Sequence, residues 1–238
     1  MSPLAFKTMT ATKDLLRQVP FLAPLDLSDL EQLASAVSRR KYLNGDTIMR
    51  KEDEGQSLFI VERGSVRVYL PSLQGADLTL ALLGPGDFVG DLSLLDGQPR
   101  SASADAMEDT NVLILERSDF IELLRSRPDA AMAVMTVVAK RLRNTDEMAS
   151  DLAFLDVAGR LAKKLLEMAS THGVDRDDGT LLDVNITQEQ LANMIGVTRE
   201  SVNRNLGRFR QEGLISSQGR RIILHDPDGL RLRSEPPA

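Results

Sequence analysis

Cysteine is absent from the 238 residues, and histidine occurs only as His172 and His225. No cysteine means no disulfide and no thiolate-held iron–sulfur cluster, and two distant histidines make no ordinary zinc set. Long apolar runs are missing as well. The longest, Ala130 to Ala139 with only Thr136 interrupting, is far below the roughly 20 residues that cross a bilayer. The opening MSPLAFKTMTATK lacks the continuous apolar stretch of a secretory signal, so a cytoplasmic chain with no membrane partner is expected. Positive charge is also in deficit, with a net charge of −6, which argues at first against a binder of phosphate-rich nucleic acid. What is present is ordinary for a globular protein, 42% hydrophobic and 27% charged residues, in a length that suits about two domains.

The charge is unevenly spread. From Asn185 to Arg221 the basic residues are Arg199, Arg204, Arg208, Arg210, Arg220 and Arg221, against Glu189, Glu200 and Glu212. The acidic excess lies elsewhere.

Residues 25–40 space Leu27, Leu30, Leu33 and Val37 three and four apart, the period of a helix on a core. From Tyr42 to Glu116 the texture becomes SLFIVE, SVRVYL, LTLALL and NVLILE, separated by Asn44-Gly45, Arg63-Gly64, Gln74-Gly75 and Gly84-Pro85-Gly86. That pattern predicts strands in a sandwich or roll. Ser118 is placed to cap a helix reaching Arg125, and Pro128 suits the first position of the next, where no N–H is needed. From Pro128 to Phe154 no glycine or proline intervenes, and Met135, Val138, Leu142, Thr145, Ala149 and Leu152 form a heptad-like seam. Such a helix runs roughly 40 Å, longer than a small domain requires, and predicts pairing with a second copy. Asp156 can cap VAGRLAKKLLEMAS, the polar THGVDRDDGT reads as a surface loop, and the closing SEPPA as a frayed tail.

In ITQEQLANMIGVTRESVNRNLGRF, Thr187 and Gln190 form a capping-box pattern, Gly196 allows a sharp turn, and Thr198 can cap a second helix. At about 100° per residue, Val202, Leu206 and Phe209 share one face. Glu200, Asn203, Arg204 and Gly207 share the other, flanked by Arg199. Arginine can donate two hydrogen bonds to guanine and glutamate can accept from cytosine, so this face suits the major groove of duplex DNA. Beyond it, Leu214 to Ser216 and Ile222 to Leu224 flank a turn at Gly219, as in a β-hairpin wing whose Arg220 and Arg221 would meet phosphates. VTRESVNR resembles the recognition helix of the cyclic-AMP receptor protein and Fnr (Crp-Fnr) family of bacterial transcription regulators, and LAFLDVAGRLAKKLL resembles that family's hinge. By that resemblance Arg199, Glu200 and Arg204 occupy base-reading positions for a palindrome with TGTGA-like halves. Thr198, Ser201 and Asn203 complete the expected DNA-contact set. Asn205 departs from the family pattern, where an apolar residue is usual.

GPGDFVGDLSLLDGQPRSASA combines close glycines, Asp91 and Arg100-Ser101. A cyclic phosphate needs a cation with hydroxyl or backbone donors, and a carboxylate holds a ribose hydroxyl, so Asp91, Arg100 and Ser101 are a complete set beside Gly90. Taken singly, GDFVGD and DGQPR also read as hairpin turns with an exposed Arg100. In this order they resemble the family's phosphate-binding cassette, with Asp91 where cyclic-AMP binders typically have glutamate and a loop before Arg100 one residue shorter. The resemblance adds Leu92 to the ligand set, and on the long helix Arg141, Thr145 and Asp146, the last standing where serine is frequent. The expected effector is therefore cyclic AMP, with cyclic GMP, cyclic di-GMP or no ligand as alternatives.

The expectation is an α+β chain. Residues 1–127 form a cyclic-nucleotide-binding, jelly-roll-like β-roll, 128–155 a long dimerisation helix and hinge, and 156–238 a winged helix-turn-helix domain. It would act as an allosteric homodimer with double-stranded DNA, a cyclic nucleotide and, by the resemblance, RNA polymerase as partners, the last through loop 170–180. No cofactor, metal or catalytic residue is expected. A cupin-type β-roll enzyme would gather histidines in the β-rich region, where there are none. A regulatory subunit acting on a protein partner would leave the capped second helix and basic wing unexplained.

Overall fold

The structure is a computed structural model that describes residues 11–72, 77–184, 186–218 and 221–235. The described residues fall into two compact units, one within Met1–Pro71 and Leu80–Arg143, the other within Ser72–Thr79 and Asn144–Ala238.

The first unit begins with α1 (residues 11–16), α2 (Leu27–Ala36) and β1 (Ser38–Tyr42). The helix expected over 25–40 therefore stops at Ala36, and Leu27 is 58% exposed. Ser38 to Tyr42 instead pair antiparallel with β8 (Thr110–Glu116), the main-chain ladder overriding the helical spacing. Then follow β2 (Thr47–Met49), β3 (Ser57–Arg63), β4 (Val66–Leu70), β5 (Leu78–Leu83), β6 (Phe88–Val89), α3 (Asp91–Asp96) and β7 (Ser103–Ala106). Two four-stranded sheets result, in the orders β1-β8-β3-β6 and β2-β7-β4-β5.

The apolar runs of β3 and β8 are continuous because each strand serves two cores. Leu58, Ile60, Leu113 and Leu115 pack with Phe21 and Phe120. Phe59, Val61, Val112 and Ile114 pack with Val66, Val68 and Ala104 of the opposing sheet. Phe21 anchors the helical side, with its ring edge-on to Phe88 at 4.8 Å and to Phe120 at 5.5 Å. α4 (Arg117–Ser126) starts one residue before the expected Ser118 cap, because Arg117 N donates to Gln56 O and the strand passes directly into the helix.

α5 runs unbroken from Pro128 to Phe154. Ala130 and Val134 are buried, and Val138 of the expected seam packs partly on the core of its own unit. Met135 and Leu142 are exposed, Leu142 at 61%, with Met132 beside them.

In the second unit Asp156 caps α6 (Val157–His172), accepting from Gly159 N at 2.7 Å. The stretch expected as a loop is a hairpin, β9 (Gly173–Arg176) paired with β10 (Gly179–Leu182). Leu181 and Leu182 are buried, and that burial draws the polar segment into the sheet. α7 (Gln188–Ile195), α8 (Arg199–Gln211), β11 (Ile215–Gln218), β12 (Arg221–Leu224) and α9 (Pro227–Arg233) complete the unit, with the sheet ordered β11-β12-β10-β9. Leu161, Leu165, Leu191, Val202, Leu206, Phe209 and Leu230 form its core. The turns expected at Gln74-Gly75 and Gly219, together with Arg220 and the last three residues of SEPPA, lie outside the described residues.

Candidate ligand cassette and nucleic-acid interface

β6 delivers the chain to Gly90, whose φ of 94° turns it into α3 and places Asp91 at the first helical position. Arg100 returns to the same spot and is 5% exposed, which excludes the hairpin with an exposed arginine. Its Nη1 donates to Gly90 O at 2.7 Å and its Nη2 to Ser57 O at 2.6 Å, with Phe59 beneath the guanidinium at 5.6 Å. The main chain of Arg100 is fixed too, its N donating to Asp53 O and its O accepting from Glu52 N. A Cβ on Gly90 would lie 2.5 Å from Arg100 Nη1, and one on Gly55 2.9 Å from its Cζ. These two glycines form the slot in which the cation rests. Burial lowers the pKa of Arg100 below the usual guanidinium value, partly opposed by the charges of Asp91 and Asp53.

Asp91 is 1% exposed and takes its cation from the long helix, with Arg141 Nη1 donating to Oδ1 at 2.6 Å. Arg141 Nη2 donates to Phe88 O at 2.6 Å and the guanidinium lies over the Phe88 ring. The second carboxylate oxygen, Asp91 Oδ2, is buried and has no hydrogen-bond partner among the described residues.

Gly90, Asp91, Arg100 and Arg141 are thus brought together. Leu92 and Ser101 are exposed beside them, whereas Thr145 and Asp146 are exposed on α5 past Arg143, in the portion that belongs to the second unit. Gly55, Ser57, Phe59 and Phe88 were not anticipated. Carbonyl acceptors leave no trace in side-chain identity; Gly55 alone carried a usable signal.

Chemically, the cassette holds a guanidinium with two of its five N–H donors spent on carbonyls and a carboxylate oxygen able to accept one more hydrogen bond. That combination suits an anionic group with a neighbouring hydroxyl, and a cyclic nucleotide fits both requirements.

The second surface is built on α7 and α8. Thr187 and Gln190 make both bonds of the capping box, Gly196 turns with φ 65°, and Thr198 Oγ1 accepts from Ser201 N. Val202, Leu206 and Phe209 are buried, leaving Arg199, Glu200, Asn203 and Arg204 exposed. Asn203 Oδ1 accepts from Gln188 Nε2 of α7. Asn205 is half-buried and turns its amide back onto Ser201 O at 2.8 Å, which lets a polar residue sit where an apolar one is usual. In the wing, Arg221 is paired with Asp183 at 3.1 Å.

Among the described residues no three His, Cys, Asp or Glu side chains gather to hold a metal, and no helix is long and apolar enough to cross a membrane.

The cyclic nucleotide-binding domain model matches residues 39–127, and the Crp-like helix-turn-helix domain model matches 159–233. The chain is 32% identical over 198 residues to the cAMP-activated global transcriptional regulator CRP of Salmonella typhimurium, covering 82% of this chain and 93% of that protein. It is 37% identical over 196 residues to the cyclic AMP receptor protein of Thermus thermophilus, covering 82% and 88%. Among solved structures, the c-di-GMP responsive global regulator CLP of Xanthomonas campestris aligns with a TM-score of 0.74 at 25% identity, over 84% of this chain and 99% of that one.

Proposed function

The chain belongs to the Crp-Fnr family of transcription regulators, and from that premise we propose a homodimer that binds cyclic AMP in the cassette and reads a palindrome with TGTGA-like halves. It is a DNA-binding regulator with a cyclic-nucleotide-binding domain, and its relatives are regulators, not enzymes.

Asp91 Oδ2 carries the effector reading, as a buried acceptor with no partner among the described residues, held beside a buried guanidinium. In this reading Oδ2 accepts from the ribose hydroxyl while Arg141 keeps Oδ1, and the remaining N–H groups of Arg100, with Ser101 and the Gly90–Leu92 turn, take the phosphate. The family resemblance assigns Thr145 and Asp146 to the base. On α8, Arg199 and Arg204 donate to guanine and Glu200 accepts from cytosine, with Thr198, Ser201, Asn203, Arg220 and Arg221 completing the contacts. The exposed apolar stripe of α5, Met132, Met135 and Leu142, supports pairing with a second copy. Two-fold symmetry would set the half-sites about 34–36 Å apart.

The division of labour is a sensor over 1–127, the helix and hinge over 128–155 and the DNA-binding portion over 156–238, in a cytoplasmic protein. The β9–β10 hairpin is the proposed contact for RNA polymerase. A cyclic di-GMP response is the second reading, supported by the likeness to the Xanthomonas regulator.

Titration calorimetry with cyclic AMP, cyclic GMP and cyclic di-GMP, paired with duplex-binding curves at fixed salt, tests the proposal. Heat with cyclic AMP and a matching rise in affinity for the TGTGA palindrome are expected. No heat with that nucleotide removes it as effector, and equal affinity for a scrambled duplex removes the base-reading assignment.

A further inference from the structure

A cation already paired with a carboxylate must share or give up that partner to neutralise a phosphate, a small cost at the surface, so an unpaired cation is the better placed of the two for backbone contact. Several basic residues around the helix-turn-helix are matched. Arg208 pairs with Glu212 at 2.9 Å, Arg233 with the same carboxylate at 3.0 Å, and Arg221 with Asp183 at 3.1 Å. Along α8, the described residues place no carboxylate within ion-pair distance of Arg199, Arg204 or Arg210.

Arg210 is exposed and bonds to a neutral group, with Nη1 donating to Ser217 Oγ of β11 at 3.3 Å. A hydroxyl fixes the direction of the guanidinium without cancelling its charge. The head group lies over Gly207, where a Cβ would meet Arg210 Nη2 at 3.9 Å and nothing else within 4 Å. A glycine inside a helix costs about 1 kcal/mol relative to alanine, and here it leaves the ground in front of Arg210 open. Eleven residues return a straight helix to within about 20° of the starting direction, so Arg199 and Arg210 lie on one flank of α8, about 16 Å apart along its axis. Both line a cleft of about 410 Å³ with Thr187, Glu189, Leu206, Ser217 and Ile222, and among the described residues Glu189 is in ion-pair contact with neither arginine.

We infer that Arg210, held by Ser217 above Gly207, is a DNA-backbone contact that orients α8 on the duplex, and that Arg221 contributes less than its place in the wing suggests. The inference rests on the DNA-reading assignment of α8 and adds to it a residue that carries no base information.

Duplex affinity is measured across roughly 50–200 mM salt, with and without cyclic AMP, on the palindrome and on a scrambled duplex of equal length. The proteins are the parent, Arg210→Gln, Arg210→Lys and Arg221→Gln. Arg210→Gln keeps a donor for Ser217 and removes the charge. It is expected to reduce the salt slope by about 0.9 for each phosphate that is no longer neutralised, equally on both duplexes, with the melting temperature and the ratio of the two affinities unchanged. Arg210→Lys is expected to restore the slope, and Arg221→Gln to change it less than Arg210→Gln does. An unchanged slope in Arg210→Gln overturns the inference, as does a loss confined to the palindrome, which would make Arg210 a base reader. If the parent binds both duplexes equally, the base-reading proposal fails while the slope on the scrambled duplex still decides Arg210. Absence of any duplex binding overturns both.

Discussion

At Gly90 the left-handed φ of 94° is one that residues with a Cβ rarely adopt, and an added Cβ would lie 2.5 Å from Arg100 Nη1, so something must shift. Gly90→Ala is expected to displace Arg100 and weaken cyclic-nucleotide binding by roughly tenfold or more, about 1.4 kcal/mol, as read by calorimetry. On α8 the expected effect is of another kind. Arg204→Ala should relax preference at one base position of each half-site, a loss of about 1–3 kcal/mol of discrimination, measured by competition between duplexes that differ at single positions. The burial of Asp91 and Arg100 at one spot and the exposure of Glu200 and Arg204 on one helix face were legible in the sequence, because each is a charged residue in an ordered motif. The acceptors that hold Arg100 were not, since any residue at position 57 has the same carbonyl. Asn205 was legible as a departure and explained only by its bond to Ser201 O.

Elements were read best where their signal was long. The four apolar runs became β3, β4, β5 and β8, and the uninterrupted stretch from Pro128 became α5. β2, β6 and β7, of three, two and four residues, are too short for any periodicity to register. β1 has four exposed residues in five and is held by its ladder with β8, a long-range cause that local spacing cannot display. The caps give sharper expectations. Thr198→Ala removes the N-cap of α8 and should cost about 1 kcal/mol of stability, seen as a lower urea midpoint for the second unit. Asp26, at the N-cap of α2, has its carboxyl held below the usual range by the Asp29 N–H and then by the Ser28 hydroxyl. A depressed folded pKa places its stabilisation above the ordinary carboxylate range, with loss as pH falls through the lowered value. Acid unfolding of Asp26→Asn should accordingly show a shallower pH dependence than the parent. For α5, replacing the 61%-exposed Leu142 by glutamate should shift the sedimenting species toward monomer if the stripe is the pairing face.

For the whole molecule, the net charge of −6 hides a division in which uncompensated arginines collect on α8. An acidic chain with a cationic reading helix should bind DNA with a steep salt dependence and repel it elsewhere. Coupling between effector and DNA is subject to reciprocity. Whatever factor a bound cyclic nucleotide adds to duplex affinity, the duplex must add to nucleotide affinity, and two calorimetric titrations, with and without duplex, check the equality. Unequal factors would mean that a further equilibrium, such as dimer dissociation, is shared between the two ligands.

The carbonyls of Gly90 and Ser57 that hold Arg100 also bear on how such a sensor can change over generations. At position 57, unlike at Gly90, the main-chain acceptor survives substitution of the residue that carries it, so mutation there leaves the Arg100 guanidinium where it is. Change is then open to the side chains around a fixed charge, Asp91, Arg141 and Ser101 among them. With Arg100 in its proposed role, a lineage built on this cassette could exchange one phosphate-bearing signal for another without first losing the cation that meets the phosphate.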